Sequence, residues 1–137
     1  LFFLYRIRGL KELPDVKGCH ATYHDSCSSL REHGVREEPR QLMQSLNGGS
    51  IVEHDTRDVC CGFGGAFCVK YSDISTTMVD KKCKSLEKTG ADIVAAGDMG
   101  CLLNIAGRLK KTGSNMRAYH VAEILTGKHN EPAIGEE

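Results

Sequence analysis

At 137 residues, with 40% apolar and 26% charged side chains, the chain fits one globular domain and excludes wholesale disorder. Eighteen basic side chains cancel eighteen acidic ones, which argues against nucleic acid or an anionic membrane surface as the main partner. No apolar run approaches the roughly 20 residues of a membrane helix, and Leu1-Phe2-Phe3-Leu4 is broken by Arg6 and Arg8 before it could serve as a signal segment; a soluble, cytoplasmic protein is expected.

Residues 1–18, with apolar positions of no clear period and then Pro14 and Gly18, read as a lead-in. The chain lacks an initiator Met, so this lead-in is expected to follow a preceding domain. Short β-type runs come at Ala21–His24, Ile51–His54, Ile93–Ala96 and Met116–Tyr119. Helical stretches separate them. Pro39 lies near the start of one, with Leu42, Met43 and Leu46 on a face and Gly48 beyond its end. Ser72 and Asp73 are expected to cap a longer helix with Ile74, Met78, Val79 and Leu86 inward and Gly90 as its stop. Asp98 opens a third, with Leu102, Leu103, Ala106 and Leu109 inward and Gly113 at its end. Val121–Leu125 is a short last helix. Residues 128–137 are polar and read as a flexible tail.

Strands alternating with helices of this length imply parallel crossovers and a sheet covered on both faces. The predicted fold is a Rossmann-like three-layer α/β sandwich with a parallel sheet of about four strands, ordered 2-1-3-4 by analogy with doubly wound sheets.

Seven cysteines are many for such a chain. Their odd number, without a signal segment, argues against a secreted disulfide scaffold. Their positions are informative. Cys27 follows the first strand, Cys60 and Cys61 the second, Asp98 and Cys101 the third, and His120 ends the fourth. In an open parallel sheet all strand carboxyl ends share one edge, where ligands bind. Cys27, Cys60, Cys61 and Cys101 are therefore expected to converge there as metal ligands. Adjacent thiolates diverge and suit different irons of one cluster better than a single ion. Gly62, Gly64 and Gly65 supply a backbone able to wrap a cluster and donate N–H groups to it. Cys27 and Cys101 at helix N-termini favour the thiolate. Gly62-Phe63-Gly64-Gly65 is not a dinucleotide fingerprint, because Phe67 occupies its third glycine position.

Cys19, Cys68 and Cys83 read as packing residues. Asp98 reads first as a helix cap, with a place beside the cofactor as the alternative. His120 is balanced between a strand-end hydrogen bond and a site role, and His24 has the same two readings. From the residues alone, an iron–sulfur electron-transfer unit competes with a zinc-binding structural or interaction domain and, further back, with a thiol–disulfide enzyme using Cys60-Cys61.

The strings His24-Asp25-Ser26-Cys27, Gly34-Val35-Arg36-Glu37, Cys60-Cys61-Gly62-Phe63-Gly64-Gly65, Val69-Lys70, Gly90-Ala91-Asp92 and Gly97-Asp98-Met99-Gly100-Cys101-Leu102 resemble the cysteine-rich CCG domain of heterodisulfide reductases, glycolate oxidase iron–sulfur subunits and lactate utilisation protein A. They are closest to the last branch, in its C-terminal half. The resemblance gives a CCG domain over residues 19–127. The family's pattern ends in Cys-x-x-Cys; here Asp98 replaces the first of that pair. The resemblance implies a cytoplasmic 4Fe-4S electron-transfer subunit of a complex oxidising L-lactate to pyruvate, with the other subunits of a lactate- or glycolate-type oxidation complex as partners. A heterodisulfide-type reductase is the remote alternative.

Overall fold

The computed structural model describes residues 16, 18–27, 34, 36–46, 48–57, 59–64 and 66–136. Most of the lead-in expected over 1–18, and Gly65 of the glycine-rich loop, lie outside the described residues, as does the side chain of Cys68. In chain order the elements are β1 (His20–His24), α1 (Glu38–Gln44), β2 (Ser50–Ile51), α2 (Phe67–Lys70), α3 (Ser72–Lys88), β3 (Ile93–Ala96), α4 (Met99–Lys111), β4 (Arg117–His120) and α5 (Val121–Leu125). The four strands form one parallel sheet, as the strand–helix alternation predicted, in the order β2-β1-β3-β4 expected by analogy with doubly wound sheets.

Side-chain alternation along the strands divides the core. Ala21, Tyr23, Ile93, Ala95 and Tyr119 face Leu42 and Met43 of α1 and Ile124 of α5. Val94, Ala96 and Ala118 face Val79, Cys83 and Leu86 of α3 and Leu102, Ile105 and Leu109 of α4. Both faces are thus covered, which is why β3 is buried at every position and reads as an unbroken apolar run.

The strand at the β2 edge is shorter than Ile51–His54. Val52 still donates its N–H to Ala21 O at 2.9 Å. The next acceptor along that edge, Tyr23 O, is taken at 3.1 Å by the ring Nε2 of His54. A side chain replaces the ladder bond, and the chain turns away toward Cys60.

Two helices sit differently from their sequence stripes. Tyr71, not Ser72 or Asp73, is the N-cap of α3, with no side-chain capping bond. The buried positions are Ser75, Val79, Lys82, Cys83 and Leu86, while Ile74 is exposed. Ser75 faces inward because its hydroxyl donates to Gly62 O at 2.6 Å. In α4, Leu102, Ile105, Ala106 and Leu109 are buried and Leu103 is exposed. These four keep the i, i+3, i+4, i+7 spacing of one helix face, and Leu103 falls a full residue step away from it. Gly90 and Gly113 follow their helices at φ +72° and +73°, the left-handed conformation expected of stop residues. The polar segment after residue 127, read as a flexible tail, runs along β4. Tyr119 donates its hydroxyl to Glu131 O at 2.6 Å, and Ile134 N–H donates to Ala118 O at 3.0 Å.

Arg40 of α1 is buried and stacks over the Tyr23 ring at 5.3 Å. Its guanidinium donates to both Asp25 oxygens, at 2.9 and 2.6 Å. It also pairs with Glu53 and with Arg36 O. Asp25 lies just past β1 and Glu53 just past β2, so one cation fastens both loops that lead to cysteines. Arg40→Met leaves the buried Asp25 carboxylate only its longer, 3.3 Å contact with Arg57 and is expected to cost about 3 kcal/mol. In urea unfolding, the double change Arg40→Met with Asp25→Leu should cost less than Arg40→Met alone.

His54 carries a second expectation. Burial first, then the charges of Lys82 and His24, push its pKa down to about 4, against the bond to Tyr23. An unfolded histidine titrates near 6.5. Between those values the unfolded chain binds the extra proton, so stability rises with pH through the window and is lost on acidification, by up to about 3 kcal/mol. Urea midpoints of the metal-free chain should fall from about pH 6.5 to about pH 4, and His54→Gln should flatten that slope.

Candidate metal centre at the sheet edge

The strand register aligns His24, Ala96 and His120 in one row at the carboxyl edge. The cysteine-bearing loops begin immediately beyond it. Cys61 and Cys101 are buried, and together with His24 they place one ligand atom each within 4.8 Å of one another. Two of the four cysteines expected to converge therefore meet, from segments on opposite sides of α3. Cys27 and Cys60 are half-buried and stand outside this tight trio. Cys61, Cys60, Asp25 and Cys27 all act on the ammonium of Lys82, supporting its charge against the burial that lowers its pKa.

The loop carrying Cys60 and Cys61 is clamped between α3 and α4. Gly62 takes φ +86°, and a Cβ there would lie 2.9 Å from both Ser75 O and Met78 Cβ. Only glycine meets both demands. Its N–H donates to Cys60 Sγ at 3.3 Å. Asn104 of α4 donates to Cys61 O at 3.1 Å. Phe63 covers Gly100 so closely that a Cβ on Gly100 would sit 2.5 Å from the ring. Gly64 has φ +50°.

Asp98 is the N-cap of α4 and accepts the Cys101 N–H at 2.9 Å. The cap positions Cys101 in the first helical turn, at the positive end of the dipole. His120 caps α5: its Nδ1 accepts from Ala122 N–H at 3.1 Å, and its own N–H donates to Glu123 at 2.8 Å. Neither residue belongs to the trio. Cys19 and Cys83 lie in the two halves of the core. Burial raises both thiols, that of Cys83 to about 12, which suits packing and not ligation.

The Cys61 and Cys101 sulfurs lie close enough to shift each other's ionisation in opposite directions. Hydrogen bonding from Cys101 draws Cys61 far below an ordinary thiol, against burial and with help from the nearby His24 imidazole. The same contact with Cys61, then burial and the Asp98 carboxylate, pushes Cys101 up. The contact favours the thiolate at Cys61 and the thiol at Cys101. Two sulfurs and an imidazole, closed from water, form a donor set for a thiolate-preferring metal or cluster, not for magnesium or calcium. Both ring nitrogens of His24 are buried without a hydrogen-bond partner among the described residues, which also fits a centre completed by metal.

Lys82 escaped the sequence reading. Its signal is position: with Val79, Cys83 and Leu86 it keeps the spacing of the buried face of α3. Its Nζ donates to Thr56 O, which holds the segment before Cys60 against the helix.

Residues 21–106 match the family model of the cysteine-rich CCG domain. The chain is 39% identical over 132 residues to lactate utilization protein A of Oceanobacillus iheyensis, covering 96% of this chain and 54% of that protein. It is 44% identical over 123 residues to lactate utilization protein A 2 of Bacillus cereus strain AH820, covering 90% and 51%. The chain thus spans about half the length of these relatives. A cysteine pair fixed by a glycine loop at a parallel sheet edge, across a matched span of this extent, places the chain in the cysteine-rich CCG domain family.

Proposed function

We propose that this chain is a cytoplasmic iron–sulfur electron-transfer unit of a system that oxidises L-lactate to pyruvate. The observation that carries the reading is the meeting of Cys61 with Cys101 in a dry site at the carboxyl edge, in a chain whose relatives are named for lactate utilization. Cys27, Cys60, Cys61 and Cys101 would hold a 4Fe-4S cluster, with the backbone of Gly62 and Gly64 wrapped against it. Such a cluster supplies reversible one-electron chemistry. The chain's own part is to hold the thiolates, exclude water with Phe63, and set the local charge through Lys82 and Asp98. Substrate chemistry would belong to partner subunits of a lactate- or glycolate-type oxidation complex. No helix among the described residues is long and apolar enough to cross a membrane.

The donor set of His24, Cys61 and Cys101 also favours a second reading, a structural zinc site. Colour and metal analysis separate the two. Anaerobically purified protein should be brown with broad visible absorption and contain iron and sulfide; a colourless protein holding stoichiometric zinc overturns the iron–sulfur reading.

Cys60→Ser and Cys61→Ser are expected to lose iron while remaining folded. Cys83→Ser should keep its iron and cost about 1 kcal/mol in urea unfolding. Equal iron loss from all three would remove the distinction between ligand and core cysteines.

Asp98→Ala should cost about 1 kcal/mol through the lost cap, and Asp98→Asn clearly less. In Asp98→Asn the iron content should be unchanged and the midpoint potential raised, because a negative charge near the centre is removed. Loss of iron in that variant would make Asp98 a ligand.

A further inference from the structure

Among the described residues, His24 alone has both ring nitrogens buried and without a hydrogen-bond partner. Its side chain is fully enclosed. Buried polar atoms are ordinarily paired. The other histidines near this edge obey that rule: His54 uses both ring nitrogens, on Thr56 and on Tyr23 O, and His120 uses Nδ1 as a cap.

The fold dictates where the His24 ring goes. His24 pairs with Ala96 across β1 and β3, and strand alternation sends it to the face of the sheet covered by α3 and α4, the same face as Ala96 and Val94. Small Ala96 beside it leaves the ring room. On that face the sulfurs of Cys61 and Cys101 both lie within 4.8 Å of a ring nitrogen.

We propose that His24 is a nitrogen ligand to the metal centre held by Cys61 and Cys101, giving that centre mixed sulfur and imidazole ligation, with the imidazole in the place that the four-cysteine set gives to Cys27. The assignment rests on the reading of those two cysteines as metal ligands, and not on which metal they hold. An imidazole is a neutral donor where a cysteine would be anionic. It places less negative charge on the metal and raises the reduction potential relative to all-thiolate ligation.

The test uses the whole chain with its histidines labelled with nitrogen-15, in two anaerobic arms: Co²⁺ alone, and Fe²⁺ with sulfide followed by reduction. Pulsed paramagnetic resonance should show the strong coupling of a directly bonded histidine nitrogen in both arms. His24→Cys should retain the metal, lose that coupling and lower the midpoint potential of the iron-loaded protein. His24→Phe should weaken Co²⁺ binding by at least about tenfold, with circular dichroism confirming the fold. Metal bound with no strong nitrogen coupling, or with coupling that survives in His24→Cys, overturns the histidine assignment and leaves the iron–sulfur reading standing. Cobalt bound through His24 while no cluster forms does the reverse. Failure of both metals to bind overturns both.

Discussion

One buried cation holds the two loops on which the candidate centre depends. The guanidinium of Arg40 lies between the carboxylate of Asp25, just past β1, and that of Glu53, just past β2. Two residues beyond Asp25 is Cys27; seven beyond Glu53 is Cys60. Removing charges from water costs several kcal/mol each, and only the bidentate geometry with the further bond to Arg36 O makes such a burial tolerable. The pair is therefore weak evidence for net stability and strong evidence for fixed geometry. With Arg57 also reaching Asp25 and Glu37, the loops after β1 and β2 are tied to α1 and to each other.

The second set of constraints is steric. Gly62 must approach α3 closely, and Gly100 must make room for the Phe63 ring. The two cysteine-bearing segments consequently interlock: a residue of the first segment covers the helix start that presents Cys101. Asp98 completes this by holding that helix start through the Cys101 N–H. A thiol placed by a cap, beside a thiol placed by a clamped loop, has little freedom to move away from it. The lowered Cys61 pKa is a consequence of this enforced proximity.

Charge under the site is balanced from below. Lys82 is enclosed in the core, an expensive place for an ammonium, and burial lowers its pKa while the surrounding thiols and Asp25 oppose that shift. A cationic group among several cysteines favours their ionised forms and sets the field in which a metal would sit. Its hydrogen bond to Thr56 O couples the same group to the loop before Cys60, so electrostatics and loop position are linked through one side chain.

Sequence alone disclosed the strand–helix alternation and the parallel sheet, because apolar runs, helix stops such as Gly90 and Gly113, and the Asp98 cap are local signals written in consecutive residues; the strand order came by analogy with doubly wound sheets, since pairing between distant strands is not a local signal. It also disclosed that Cys61 and Cys101 share an edge, since that follows from topology. Side-chain placement around the edge was decided elsewhere. Whether Ile74 or Ser75 faced inward depended on the hydroxyl bond to Gly62, a residue in a different segment. The length of β2 depended on a ring nitrogen of His54 capturing Tyr23 O. His120 was held by its own helix start, whereas His24, with the same two sequence readings, was turned by strand alternation into the cysteines. Each of these outcomes is a competition for a hydrogen-bond partner or for space between segments distant in the chain, and only tertiary packing can settle such a competition.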